Sequence, residues 1–378
     1  MGSERGQSPR GTTRGPGRGA ERGWGPSPEE GTADWTDRGG ERGGGPSPEE
    51  GTATRAVPAG EGPGGVPPST AFVSGFACIA GRPNAGKSTL VNALVGQKVA
   101  IASDRPQTTR HTIRGVVHRP GAQLVLVDTP GLHRPRTLLG ERLNALVRDT
   151  FGDVYVVAAA FPSDQRVGPG DRYLAGELAA LGQAPGGGPQ LVALATKTDL
   201  VTGARLRDHL LSLQRLGEEV GLTWQHIVPV SALTGDQVDE VADVLVSLLP
   251  PGPAFYPADM VTDEPTERVV AELIREIALE LVDDELPHSI TVTVDEMRLR
   301  PDRGPDRPLL DIFAAIVVER DSQKPIVLGA KAARLKYIGT TARRRLQRLF
   351  GTPVHLDLRV KVAKDWQGDA KKLARLGF

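Results

Sequence analysis

Residues 81–88 read Gly81-Arg82-Pro83-Asn84-Ala85-Gly86-Lys87-Ser88, the spacing G-x-x-x-x-G-K-[ST]. Each residue type there answers a need of a bound phosphate chain. Glycines let successive backbone N–H groups turn inward, and the start of the following helix favours the same anion. Lys87 is expected to reach the outer phosphates and the Ser88 hydroxyl to ligate Mg²⁺, with Thr89 in the same turn. Downstream, Asp128-Thr129-Pro130-Gly131 is expected to set a carboxylate beside the metal and the Gly131 N–H where a third phosphate would end. Taken alone, Asp-x-Pro-Gly is ordinary turn chemistry, and only the phosphate loop upstream gives it a second meaning.

Thr196-Lys197-Thr198-Asp199 resembles the base-recognition motif of GTPases. A carboxylate there accepts two hydrogen bonds from guanine, and adenine lacks the exocyclic amino group that makes the second, so the wrong base leaves a polar group unpaired. The usual pattern has Asn where this chain has Thr196, and the shorter side chain is expected to tie the base to the phosphate loop less firmly. Ser231-Ala232-Leu233 fits the remaining base-contacting loop.

Groups so far apart in sequence need a scaffold whose strand ends converge. The runs Phe76–Ala80, Leu124–Val127, Val154–Val157, Leu191–Ala195 and Ile227–Val230 read as buried strands alternating with helices, and each motif above follows one of them. Ligands of open α/β sheets bind at those C-terminal ends. A helix carrying Val238, Val241, Leu245, Leu248 and Leu249 closes this α/β unit, a doubly wound, mostly parallel sheet over residues 72–250. Prolines 250, 251 and 253 open a stiff linker, 251–265. A smaller α+β unit, 266–378, follows: a helix with Val269, Leu273, Ile277 and Leu281 on one face, paired strands Ser289–Val294 and Ile312–Val318, a basic helix Ala333–Phe350 and a last strand Val354–Val362.

Residues 1–70 are Gly-, Pro- and Arg-rich with almost no aliphatic side chains, which predicts a disordered arm. Glu21–Ala33 nearly repeats as Glu41–Ala53, and two copies without a stacking face do not make a solenoid. The single cysteine, Cys78, excludes an internal disulfide, and no run approaches the roughly 18 apolar residues of a membrane span. A cytoplasmic protein is the expectation. The net charge of +0 conceals an asymmetry, since residues 326–378 hold 13 Lys plus Arg against 3 Asp.

Gly81–Leu90 (GRPNAGKSTL), Gln107–His111 (QTTRH), Asp128–His133 (DTPGLH) and Val228–Ala232 (VPVSA) together resemble the Era family of ribosome-assembly GTPases. The resemblance continues through Ala271–Glu276, Glu285–Pro287 and Val360–Trp366, so it spans about residues 72–378. It implies a GTP- and GDP-binding P-loop GTPase domain, Mg²⁺ held by Ser88, Thr109 and Asp128, and a mobile segment in which Thr109, beside Thr108, meets the γ-phosphate. Lys87, Thr109, Gly131 and Asn84 are then the candidate catalytic residues. Leu132 stands where some GTPases place a water-orienting Gln. Asn84 matches a position that coordinates K⁺ in related GTPases, a charge that would stand in for an arginine finger; the alternative is that Asn84 only shapes the loop.

For the second unit the resemblance implies a KH domain gripping single-stranded RNA by a G-x-x-G loop between two helices, with Leu335 and Ile338 buried behind it. Here the loop reads Gly329-Ala330-Lys331-Ala332, and Ala332 in place of the second glycine is expected to weaken the clamp. Lys331, Arg334, Lys336, Arg343, Arg344, Arg345 and Arg348 supply a positive face for phosphates, or else a merely solvated helix face. The partners implied are small-subunit ribosomal RNA, the small ribosomal subunit and peripheral contact with the inner face of the cell membrane, for a monomeric protein. Two other readings stay open: a GTPase of tRNA modification or signalling, and a nearly inactive GTPase serving as an RNA-binding module.

Overall fold

The structure is a computed structural model that describes residues 71–101, 109–135, 137–181, 188–282, 289–304 and 306–378. All belong to one compact unit, Val66–Phe378. The expected N-terminal arm, Gln107, Thr108 and Glu285–Pro287 lie outside the described residues.

Among the described residues the first sheet has strand order β2-β3-β1-β4-β5-β6, built from β1 (Val73–Gly81), β2 (Ile113–Arg119), β3 (Ala122–Asp128), β4 (Val156–Pro162), β5 (Gln190–Thr196) and β6 (His226–Pro229). All pairings are parallel except β2 with β3. Every residue of β3 and β4 is buried, because helices cover both faces. Alternation along β1 sends Ala77 and Ile79 to one face and Cys78 and Ala80 to the other. The first face packs on α1 (Lys87–Val95) and α5 (Val238–Ser247), the second on α2 (Leu138–Gly152), α3 (Pro169–Leu181) and α4 (Gly203–Val220). This is the doubly wound α/β arrangement expected. The edge strand β2 went unread in the sequence, since Arg114 and His118 break its apolar run.

Residues after Pro250 are strapped onto the sheet rather than spanning free space. Gln123 Nε2 donates to Tyr256 O (2.8 Å), and its Oε1 accepts Phe255 N (2.6 Å) and Tyr256 N (3.0 Å).

The second sheet, β7 (Thr291–Leu299), β8 (Leu310–Val318) and β9 (Val354–Val362), pairs β7 and β8 antiparallel and β8 and β9 parallel. Its core is shared with α6 (Thr266–Glu280), α7 (Lys324–Leu328) and α8 (Ala333–Phe350). The stripe that α6 buries is Val270, Ile274, Ile277 and Ala278, whereas Leu273 and Leu281 sit at its margin and Val269 outside the cluster, a one-residue rotation from the expected face. The cause is that Arg275 and Glu276 are also buried: Arg275 pairs with Glu272 one turn back on α6, and Glu276 with Arg345 of α8 and with Lys98 of the first unit. After β9, Trp366 and α9 (Ala370–Arg375) pack through Leu373 onto Leu139 and Leu143 of α2.

Candidate functional site

At the end of β1 the chain turns through Arg82–Gly86 with Asn84 (φ 62°) and Gly86 (φ 88°) in the left-handed region. No side chain caps α1, so the N–H groups of its first turn are left for an anion. Lys87 is buried, and its Nζ donates to Arg82 O at 3.0 Å across the loop. Burial lowers the Lys87 pKa to about 8, with Asp128 opposing. Phosphates at the loop mouth would favour its charged form. The Arg82 side chain leaves the loop: Nε meets Asp171 Oδ1 of α3 at 2.6 Å and Nη2 meets Gln165 Oε1 at 3.2 Å, so only its backbone serves the cradle.

The three expected metal ligands converge. Ser88 Oγ donates to Asp128 Oδ2 (2.6 Å) and lies 2.9 Å from Thr109 Oγ1, which itself donates to Asp128 Oδ2 at 3.1 Å. Asp128 is fully buried, its Oδ1 has no hydrogen-bond partner, and burial raises its pKa. Two hydroxyl oxygens and a half-satisfied carboxylate suit a hard cation such as Mg²⁺, which takes few protein ligands and fills its remaining positions with water and phosphate oxygens. No cluster of three or more His, Cys, Asp or Glu offers another metal site among the described residues.

Gly131 lies flush against the phosphate loop; a Cβ there would fall 2.6 Å from Pro83 N. Leu132 N donates to Gly81 O (3.1 Å) and Thr129 Oγ1 to Ile79 O (2.9 Å), which locks this turn to β1. The Leu132 side chain is 1% exposed in the core on the α2 side of the sheet, turned away from any attacking water.

On the base side, Thr196 Oγ1 donates to Ala85 O at 2.8 Å in a buried position. The shorter side chain therefore does reach the phosphate loop, contrary to the expectation from its length. Lys197 (φ 59°) turns the chain so that Asp199 faces Ser231, whose Oγ donates to Asp199 Oδ1 at 2.6 Å. Between Asn84, Gly86 and Thr89 on one side and Lys197, Asp199 and Leu233 on the other lies a cavity of about 430 Å³, also lined by Ala232. That volume is in the range of a small-ligand site, and Asp199 is one of its walls.

In the second unit Gly329 (φ 70°, ψ 177°) occupies backbone space that only glycine takes readily, followed by Lys331 (φ 50°) and Ala332 (φ 60°). The loop thus keeps its turn with Ala332 strained. Lys331, Lys336, Arg343, Arg344 and Arg348 are exposed. Two of the expected phosphate contacts have other duties: Arg334 donates to Ile326 O, and Arg345 Nη1 lies 3.3 Å from buried Glu276, which also holds Lys98.

Sequence reasoning passed over Arg110, next to Thr109. Its side chain is 1% exposed, donates through Nη1 to Ile290 O (2.8 Å) at the second unit, and stands over the Trp366 ring at 5.6 Å. His111 stacks on Phe378 (4.9 Å, 9°), which stacks on Trp366 (5.6 Å, 18°). The quoted run QTTRH held the signal, but an arginine in a polar segment reads as solvated until its cage is seen.

Fold and site together define a P-loop GTPase joined to a KH domain. The family model described as a 50S ribosome-binding GTPase matches residues 76–179, and that of a KH domain residues 285–367. The chain is 59% identical over 312 residues to GTPase Era of Streptomyces coelicolor, covering 82% of this chain and 97% of that one, and 58% identical over 311 residues to GTPase Era of a Nocardioides species, covering 82% and 98%. It belongs to the GTPase Era family and is a GTP hydrolase. Among solved structures, an Aquifex aeolicus Era variant bound to GDP and AlF₄⁻ matches with TM-score 0.73 at 33% identity, covering 81% of this chain and 99% of that one. An Era complex with MgGDPNP and nucleotides 1506–1542 of 16S ribosomal RNA matches with the same score, identity and coverage.

Proposed function

We propose that this GTPase is a GTP-switched RNA-binding protein that assists assembly of the small ribosomal subunit. Its first sheet takes GTP with Mg²⁺, and its KH unit takes small-subunit ribosomal RNA. The observation that carries the proposal is the adjacency of Thr109, at the metal position, and Arg110, caged by the KH side. The match to the 50S ribosome-binding GTPase family covers only residues 76–179, within the first unit. The Era structure with 16S RNA matches nearly end to end, which favours the small subunit.

In this reading the amides of residues 82–88 and Lys87 hold the phosphate chain, Gly131 N–H meets the γ-phosphate, and Asp199 selects guanine. Ser88, Thr109 and Asp128 would hold Mg²⁺, which would supply positive charge to the phosphate oxygens. Loss of the γ-phosphate frees Thr109, and Arg110 transmits that release to Ile290 and Trp366. K⁺ at Asn84 is proposed to supply further positive charge; faster turnover in K⁺ than in Na⁺ supports it, and equal rates contradict it. The tie from Thr196 to Ala85 argues against the nearly inactive alternative. Cytoplasmic action as a monomer belongs to the same proposal, while peripheral membrane contact rests on the family resemblance alone.

The test is affinity for a 16S RNA fragment of nucleotides 1506–1542 with GDPNP and with GDP. Wild type should bind differently in the two states, and Arg110→Ala should abolish the difference while leaving GTP binding intact. Equal RNA affinity in both states for wild type would end the switch reading.

A further inference from the structure

Two segments that flank the phosphate site, Thr109–Thr112 ahead of β2 and Asp128–Gly131 at the end of β3, meet one aromatic side chain far from both in sequence. Past β9 the chain folds back through Trp366 and α9, and Phe378 N donates to Leu373 O at 2.9 Å. The Phe378 ring stacks on His111, two residues beyond Thr109, with centroids 4.9 Å apart and planes 9° apart. It also stacks on Trp366, whose ring lies under the Arg110 guanidinium. The same residue reaches α2 through its main chain, where Arg142 Nη1 donates to Phe378 O at 2.8 Å. Leu139 and Leu143 of that helix form a buried cluster with Trp366 and Leu373, and Phe378 packs against it. In turn α2 holds the second segment, since Asn144 Nδ2 donates to His133 O at 2.6 Å, two residues past Gly131, and Leu132 shares a core cluster with Val147.

Neither segment lies inside a helix, and the backbone ladder of the sheet fixes only their ends. Their reacting groups must nonetheless be placed together, Thr109 against Asp128 and Gly131 against the phosphate loop, because rate falls steeply with misplacement. We propose that Phe378 is a positioning residue for GTP hydrolysis: its ring and main chain fasten the Thr109 segment to α2, so that one anchor sets both sides of the γ-phosphate position. The proposal rests on the reading of Thr109 and Gly131 as metal and γ-phosphate contacts, and it does not depend on what the KH unit binds. Loss of the ring leaves the Arg110 hydrogen bond to Ile290 O in place, so the Thr109 segment should loosen rather than detach.

The test compares the full chain with Phe378→Ala in two measurements made without RNA. Amide hydrogen exchange of the nucleotide-free proteins should speed up over residues 109–112 in the variant and stay at the wild-type rate in β9, on the far side of Trp366. Hydrolysis of GTP at saturating Mg²⁺ should show kcat lowered roughly three- to tenfold, the range that an aromatic stack controls. Affinity for GDP without Mg²⁺ should be unchanged, because the phosphate loop and Asp199 do not touch the ring. Phe378→Tyr, which keeps the stack, should retain the wild-type kcat and exchange. If the alanine variant does not hold its fold in a thermal melt, Phe378→Leu, which fills the space without an aromatic face, takes its place with the same expectations. Wild-type exchange over 109–112 with wild-type kcat overturns the proposal, as does faster exchange shared equally by β9, which would make Phe378 a general support of the fold. Thr109→Ala tests the underlying reading separately: hydrolysis at the wild-type rate would remove Thr109 from the metal site, while the exchange comparison still decides whether Phe378 fastens the segment.

Discussion

Replacing Gly131 with alanine drives a methyl group into the backbone of the phosphate loop. The added Cβ would sit 2.6 Å from Pro83 N and 2.8 Å from Pro83 Cα, while ordinary contact begins near 3.4 Å. Neither atom is the end of a flexible side chain, so the loop or the Asp128–Gly131 turn must withdraw by about 0.8 Å. Displacements near 1 Å at reacting groups cost on the order of a hundredfold in rate. Single-turnover GTP hydrolysis by Gly131→Ala is therefore expected to fall about a hundredfold. GDP binding should fall much less, because Thr196, Asp199 and Ala232 line the base slot away from the clash. A thermal melt beside the assay checks that the variant is folded. Hydrolysis at the wild-type rate in a folded variant would refute the placement of Gly131 against the third phosphate.

Thr196→Ala removes a buried hydroxyl and leaves Ala85 O unpaired, and is expected to weaken GDP affinity by roughly five- to fiftyfold; unchanged affinity in a calorimetric titration would show that the tie is idle. Ala332→Gly relieves a left-handed alanine and should stabilise the fold by about 1 kcal/mol in urea unfolding, with RNA binding equal or tighter, whereas destabilisation would mean the loop conformation is misassigned. Burial and nearby arginines lower the His111 pKa to about 4 from 6.5, against the pull of Glu272, so the unfolded chain takes up this proton first as pH falls. Stability should drop between pH 6.5 and 4, by about 2 kcal/mol at pH 4.5 relative to His111→Phe; parallel pH profiles for the two proteins would contradict this.

The parallel strands and the phosphate loop were legible because both are written locally: a strand buried on two faces is a continuous apolar run, and the loop's glycines and lysine stand side by side. The edge strand β2 was not, since one solvated side interrupts its pattern at Arg114 and His118. The α6 stripe was misread by one residue for a different reason. Arg275 and Glu276 count as polar in any periodicity, yet both are buried, Arg275 against Glu272 on its own helix and Glu276 against partners as distant in sequence as Lys98 and Arg345. Arg110 is the same case at the site itself, its cage of Ile290 and Trp366 lying some 180 and 250 residues away. Thr196 was legible as a departure, but its reach to Ala85 depends on how closely β5 approaches the loop, a distance that the sequence does not carry.

The central claim is that a cradle of main-chain amides holds a triphosphate whose base is chosen by Asp199. Competitive displacement of a fluorescent GDP analogue, with Mg²⁺ present, addresses it directly in wild type and Asp199→Asn. Wild type should release the analogue to GTP and ignore ATP at a hundredfold excess, and Asp199→Asn should turn its preference towards xanthosine triphosphate. Displacement by ATP as effective as by GTP, or a variant with wild-type selectivity, would contradict the account.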